Sequence, residues 1–263
     1  MSGTQKKTHY IQADMHRILC RKETCLAILG VAAALFFSVG NVQDFEGSVI
    51  QTFLFATYNV GFLLSFVFCA LPYGTAYCEE LENHYIRYSV IRGNLRNYVA
   101  SKTVTIFFSA VSVMTLGCIL FALLLSCFSS LPWLDGNTYE SIVRHSGYLP
   151  LASQKQYIAW VGAYGLQWGI YAGCLALAAS YASLYISNRL LVLAMPALVH
   201  QAIVELGTDT FRQYAPFDPL VVFNAQYHLF GSDWKMLSWA FGIGAGLSAA
   251  IGAASYFRMK KRM

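Results

Sequence analysis

The chain has 263 residues, of which 57% are hydrophobic and 12% are charged, and its formal net charge is +5. A typical soluble domain has about a quarter charged residues, so this composition excludes an ordinary soluble protein and indicates one that a membrane solvates. The basic residues flank apolar runs instead of forming one continuous soluble face, which argues against a nucleic-acid-binding protein.

The first segment, residues 1–24, is polar and precedes the first apolar run. Ile11, Met15, Ile18 and Leu19 recur at helical spacing, which predicts an amphipathic helix on the cytoplasmic face of the membrane. A partly ordered tail is the alternative. We expect no cleaved signal peptide, because no small-residue cleavage site follows the polar stretch closely.

Apolar blocks of about 20 residues are long enough to cross about 30 Å of hydrocarbon. We therefore predict an all-α membrane protein with one transmembrane domain over residues 25–257 and a basic tail over 258–263. Its six transmembrane helices are predicted at about 25–40, 49–72, 103–128, 156–187, 190–206 and 235–256. Pro196 interrupts the fifth of them, which a membrane helix tolerates when neighbours satisfy the freed carbonyl.

Lysine and arginine are distributed unequally between the two sides of these six spans. Fourteen fall on the side that holds both termini and four fall on the other side. Positive residues remain preferentially in the cytoplasm, so both termini are predicted to be cytoplasmic.

Small residues recur every four positions in two of the spans, where they allow close helix packing. They are Gly165, Gly169 and Gly173 in the fourth span, and Gly242, Gly246 and the offset set Gly244, Ser248 and Gly252 in the sixth. We predict that they serve packing within the chain, with a dimer face as the alternative.

A charged segment, residues 78–102, separates the second and third spans and contains three glutamates, three arginines and one lysine. Its acidic residues come first and its basic residues last, which favours a short helix on the cytoplasmic side. Gly93 breaks this helix and Asn94 can cap the next one. Tyrosines beside arginines are typical of a protein contact surface; a loop that only fixes the topology is the alternative.

These features resemble the permease subunits of the ABC-2 class of ABC transporters, in particular small stand-alone bacterial permeases for bacteriocin or lantibiotic export and immunity. The resemblance rests on the amphipathic helix, the six spans, a proline-containing stretch before the last span, and one spaced pattern. That pattern consists of Glu79, Glu80, Arg96, Tyr98, Ser101 and Lys102. Family members often have a Gly-Thr pair where this chain has Asn83 and His84.

The resemblance implies that the segment from about Glu82 to Arg92 is a coupling helix for a separately encoded cytoplasmic ABC ATPase. Its contacting residues would be Glu82, Tyr85, Ile86, Arg87, Tyr88, Val90 and Arg92. ATP and magnesium would bind to that partner, and this chain would hold no cofactor. A second permease, identical or homologous, would complete an exporter in the bacterial cell membrane that moves an amphipathic peptide or lipid-like substrate outward by alternating access. The family also places short helices that dip into the outer leaflet before the last span, here over Phe211 to Phe230; an aromatic belt that anchors a plain exterior loop is the alternative.

The sequence carries no recognisable enzyme motif. The sequence has no GxxxxGK[ST] phosphate loop and no HExxH zinc motif. The pair Glu79-Glu80 lacks the arginine four residues later that a CaaX-type protease has, and Ser248 has no later span to supply a histidine. None of the seven cysteines forms a CxxC pair, so we expect no disulfide framework and no metal site.

Polar groups within spans indicate a functional site by default. Here they are Tyr58 and Asn59 in the second span and His200 and Gln201 in the fifth, and they form the predicted substrate path. The alternative for His200 is a neutral ring bonded to the carbonyl that Pro196 frees. Two other functions stay open: an intramembrane enzyme that uses His200 and Glu205, and a non-transporting scaffold or sensor.

Overall fold

The computed structural model describes residues 22–40, 47–78, 94–129, 131–136, 146–211, 214–227 and 229–262. Within these ranges the regular structure is entirely helical. The helices are α1 (Lys22–Val39), α2 (Val49–Tyr58), α3 (Phe62–Ala70), α4 (Leu95–Phe128), α5 (Leu149–Ser153), α6 (Tyr157–Ala182), α7 (Arg189–Phe211), α8 (Pro219–Val222) and α9 (Asp233–Arg262), with a 3-10 turn at Ala215–Phe217. The predicted amphipathic helix falls almost wholly before Lys22, outside the described residues.

Several of these helices are long and apolar enough to cross a membrane, which confirms a helical, multi-pass membrane character. By length and composition, four qualify: Lys22–Val39, Leu95–Phe128, Arg189–Gly207 and Asp233–Lys261. The pair α2 and α3 makes a fifth if the two helices are taken together. Helix α6 is 26 residues long but does not qualify, because glycine, glutamine, tyrosine and tryptophan interrupt its apolar run.

The region of the predicted second span, 49–72, contains two helices instead of one. Helices α2 and α3 meet at an angle of 78° across a short break at residues 59–61. Ser48 caps α2, since its hydroxyl accepts a hydrogen bond of 3.3 Å from the amide of Gln51. The chain therefore turns sharply where the sequence predicts a continuous helix.

Helix α6 lies at the centre of the bundle and packs most extensively on α4. The glycine stripe of α6 faces α4: Gly165 lies against Thr115 and Cys118, Gly169 against Val111, and Gly173 against Phe107. A methyl group at Gly169 would lie 3.0 Å from the carbonyl oxygen of Val111. Close approach of two helices thus depends on these glycines, as the four-residue spacing predicts.

Contacts between the ends of the helices form two groups, one at each end of the bundle. At one end, Tyr77, Tyr98, Leu184 and Met259 come from four separate stretches of chain and form one buried cluster. At the opposite end, the amide of Val49 donates to the carbonyl of Pro132 at 2.9 Å, and the amide of Gly147 donates to that of Ala225 at 2.8 Å. Successive helices therefore run between two defined ends.

Candidate functional site

The first candidate site is the end of the bundle at which the described chain stops at Cys78 and resumes at Asn94. The predicted coupling-helix residues from Glu82 to Arg92 lie outside the described residues. The chain on both sides of them is described, and it belongs to a cluster of Tyr77, Tyr98, Val99, Leu184 and Met259, packed against by Leu95, Tyr181 and Tyr256. We call this set the basic-end cluster. It fixes both anchors of the charged segment against the end of α6 and against α9.

Lys102 is buried beside this cluster. Its ammonium lies 5.2 Å from the ring centroid of Tyr73 and 6.0 Å from that of Tyr98, so cation–π attraction acts between α4 and the chain that follows α3. Tyr98, Ser101 and Lys102 of the family-like pattern are all buried here, whereas Arg96 is exposed. These pattern residues therefore support the base of the charged segment, and Arg96 remains at the surface.

Other contacts tie the same end together. The thiol of Cys78 donates to the carbonyl of Ser187 at 3.0 Å, and the guanidinium of Arg258 lies 4.3 Å from the ring centroid of Tyr185. Described lysines and arginines concentrate at this end: Lys22, Arg96, Lys102, Arg189, Arg258, Lys260, Lys261 and Arg262. Lys155 and Lys235 lie at the opposite end. The fold thus separates charge between its two ends.

The second candidate site begins at the break between α2 and α3. The amide of Asn59 donates to the carbonyl of Ser38 at 2.9 Å, and the hydroxyl of Ser38 donates to the carbonyl of Ala56 at 2.6 Å. A methyl group at Gly61 would lie 2.7 Å from the backbone of Ser38, so only glycine allows this approach. Tyr58 is 63% exposed and extends toward Asn224. A broken helix with polar contacts at its break is a common element of substrate sites in transporters.

His200 occupies a buried position deeper in the bundle. Its Nδ1 lies 3.0 Å from the hydroxyl of Tyr171, and its ring lies 4.9 Å from that of Phe66 between centroids. The ring nitrogen thus bonds a side chain of α6 and not the carbonyl freed by Pro196. Gln201 points to the exposed side of α7, where its amide donates to Glu205 at 2.9 Å. The predicted path residues are accordingly divided among the break, the interior and the outer surface of α7.

A polar network that the sequence analysis missed lies along α6. Gln167 is 1% exposed. It accepts a hydrogen bond of 3.0 Å from the hydroxyl of Tyr148 and donates one of 2.7 Å to the carbonyl of Val222. Burial raises the pKa of Tyr148 above its ordinary value, with a smaller contribution from Asp233, so this phenol stays protonated and donates. In the sequence, a single glutamine within an apolar run is what could have indicated this network.

The segment before the last helix folds back onto this network. Val222, Phe223 and Ala225 are buried, and the ring of Phe223 stacks on that of Tyr171 at a centroid distance of 5.2 Å. The indole of Trp239 donates to the carbonyl of Pro216 at 2.8 Å. The segment is therefore a packed cover over the end of the bundle that carries few positive charges, and it reaches the ring that bonds His200.

The chemistry available here is recognition and packing. Among the described residues there is no group of three or more metal-binding side chains. Ser248 donates to the carbonyl of Gly244 at 2.7 Å within its own helix, and Glu205 bonds Gln201 instead of His200. No family model, no curated protein and no solved structure matches this chain.

Proposed function

We propose that this chain is the transmembrane permease subunit of an ATP-driven ABC exporter in a bacterial cell membrane. The observation that carries the proposal is the rigid frame at the basic end. Tyr77 and Tyr98 belong to one buried cluster although a 20-residue stretch separates them, and that stretch contains the predicted coupling helix from Glu82 to Arg92. A segment held at both anchors can transmit a push to the helices that it joins.

In this proposal the chain has six spans, with α6 as the fourth and the pair α2 and α3 as the second. The concentration of lysine and arginine at the basic end supports a cytoplasmic location for that end and for both termini. Helix α6 is less apolar than a lipid-facing span, but its central position in the bundle supplies the partners that its polar groups need.

Coupling would act through two connected steps. A cytoplasmic ATPase would hold the segment from Glu82 to Arg92 and displace it when ATP closes the ATPase dimer. The displacement would reach α4 through Lys102 and Tyr98, and would reach α9 through Met259 of the same cluster. ATP and magnesium belong to the partner in this scheme, and a second permease copy or a homologous permease completes the path.

The substrate path is proposed at the break between α2 and α3. Tyr58 and Asn59 lie at the break itself, and His200 and Gln201 lie on α7, which packs against α3. The side chains packed beneath the break are mostly aromatic rings without charge, which suits an amphipathic peptide or a lipid-like molecule once the path opens.

The intramembrane-enzyme alternative receives no support from these contacts. It requires His200 and Glu205 to act together, whereas Tyr171 holds the ring of His200 and Gln201 holds the carboxylate of Glu205. Transport that survives the combined change His200→Ala and Glu205→Gln would count further against it.

The decisive experiment is copurification from membranes of the native host, with the tagged chain as bait. We expect a phosphate-loop ATPase with an ABC signature to copurify and to turn over faster with the permease present. The triple change Tyr85→Ala, Arg87→Ala and Tyr88→Ala should abolish both effects, and the control pair Lys155→Ala and Lys235→Ala at the opposite end should abolish neither. Two results would contradict the proposal: no such ATPase binds, or the triple variant binds and stimulates the ATPase fully. In either case the chain is not a permease of this kind, and a non-transporting scaffold or sensor becomes the better hypothesis for its function.

A further inference from the structure

A groove between α4 and α9 lies on the outer surface of the bundle, away from the candidate substrate path. Its volume is about 710 Å³, within the range of small-molecule sites. On α4 its lining runs from Arg96 to Phe108, and on α9 from Phe257 back to Phe241. The lining positions on each helix recur every three or four residues, so each helix contributes one continuous face.

The middle of the groove is apolar because the two hydroxyl groups that line it are already bonded. The hydroxyl of Thr103 donates to the carbonyl of Val99 at 2.9 Å, and that of Ser248 donates to Gly244 at 2.7 Å. Ala249 and Ala253 have small side chains, so the side of the groove formed by α9 is shallow. An occupant that fills this part must therefore be hydrocarbon.

One mouth of the groove is basic. Arg96 lines it and is exposed. Lys260 and Lys261 are also exposed, and they follow Phe257 by three and four residues, which places them one turn beyond the lining on the same side of α9. The mouth also coincides with the first turn of α4, whose helix dipole favours an anion.

The length of the groove and its basic mouth favour a lipid as the occupant. From Arg96 to Phe108 the groove extends about 18 Å along α4, close to the hydrocarbon thickness of one leaflet, about 15 Å. An apolar groove of this length accommodates an extended acyl chain, and the basic mouth provides a site for its headgroup.

We infer that this groove binds an anionic glycerophospholipid of the cytoplasmic leaflet. One acyl chain would lie between α4 and α9, and the phosphate would meet Arg96, Lys260 and Lys261. Basic pockets between membrane helices are known sites for anionic headgroups. The inference concerns a bound lipid and does not depend on whether the chain transports anything.

The test is native mass spectrometry of the full-length chain, released from vesicles made of equal amounts of phosphatidylglycerol and phosphatidylcholine. We expect one retained phosphatidylglycerol per chain. Ala249→Phe fills the groove and should remove the bound lipid, whereas Ala250→Phe, the exposed neighbour outside the lining, should retain it. Arg96→Gln should reduce the preference for phosphatidylglycerol about fivefold, and Lys155→Gln at the opposite end should not change it.

Three outcomes would overturn the inference. Equal lipid retention by Ala249→Phe and Ala250→Phe would show that the groove is not the site. Equal retention of both lipids by the unaltered chain would show that the basic mouth does not bind an anionic headgroup. A dimer that carries no lipid and is lost only with Ala249→Phe would identify a second copy of the chain as the occupant. Arg96→Gln alters an exposed residue, so it reports on the mouth even if Ala249→Phe disturbs folding.

Discussion

The hydroxyl of Tyr171 lies 3.0 Å from Nδ1 of His200, so a hydrogen bond joins α6 to α7 inside an aromatic environment. Phe66 contacts both rings, with centroid distances of 5.5 Å to Tyr171 and 4.9 Å to His200. In such surroundings each of the two groups depends on the other, because removal of one leaves the other buried without a comparable hydrogen bond.

We expect Tyr171→Phe to lower the free energy of unfolding by about 1 kcal/mol, since it removes a bond between helices and leaves Nδ1 of His200 unsatisfied. Reversible unfolding in detergent micelles measures this change. In a double-mutant cycle with His200→Leu, the two changes should be non-additive. The control is Tyr181→Phe, which loses an exposed hydrogen bond to Tyr185 and should have a smaller effect; equal effects at both positions would contradict the structural role of the pair.

The glycine stripe of α6 gives a second prediction. Gly169→Ala should destabilise the chain by about 1–3 kcal/mol, because the added methyl group meets the backbone of Val111 at 3.0–3.2 Å and α4 must move away. The same change at Gly242 adds a methyl group with nothing within 4 Å, so Gly242→Ala should be neutral or slightly stabilising. Thermal unfolding of both variants compares them, and a larger loss at Gly242 would mean that α9 has a partner on that face.

The third prediction concerns the Gln167 network. Gln167→Leu leaves the hydroxyl of Tyr148 and the carbonyl of Val222 without their partner, so the loops that carry them should loosen. Hydrogen exchange should accelerate around residues 146–148 and 222–225 and stay unchanged at the basic end. Gln201→Leu, which breaks only the exposed bond to Glu205, is the matched control and should leave those loops protected. Unchanged exchange in Gln167→Leu would show that other contacts hold the cover in place.

The fourth prediction tests the orientation. Asn94 and Lys155 are both exposed and lie at opposite ends of the bundle. In a cysteine-free background, Asn94→Cys should react with a membrane-impermeant thiol reagent only after the cells are opened, and Lys155→Cys should react in intact cells. The reverse labelling pattern would place the basic end outside and remove the basis for ATPase docking there.

Features that depend on neighbouring residues could be predicted from the sequence. Asn94 caps α4, with its side chain 3.0 Å from the amide of Arg96, as its position after Gly93 indicated. The spacing of Gly165, Gly169 and Gly173 likewise predicted a close helix contact, whereas Gly242 and Gly246, at the same spacing in α9, have nothing within 4 Å.

Features that depend on distant residues could not be predicted in this way. The bend after Tyr58 is stabilised by the bond from Asn59 to Ser38, which lies 21 positions earlier on another helix. Gln167 bonds residues 19 and 55 positions away, so its role could not be distinguished from that of any polar residue in a span. The coupling-helix residues lie outside the described chain, and their role stays a prediction.

The central location of α6 also bears on how the protein is made. Helix α6 packs against α3, α4, α5, α7 and α9, although its own composition falls short of that needed for a lipid-exposed span. In the proposed six-span arrangement, α6 would partition poorly into the bilayer alone as it leaves the ribosome. We expect it to be retained at the insertion machinery until α4 is available to shield it, so changes that weaken the α4 surface should reduce membrane yield before they affect any activity.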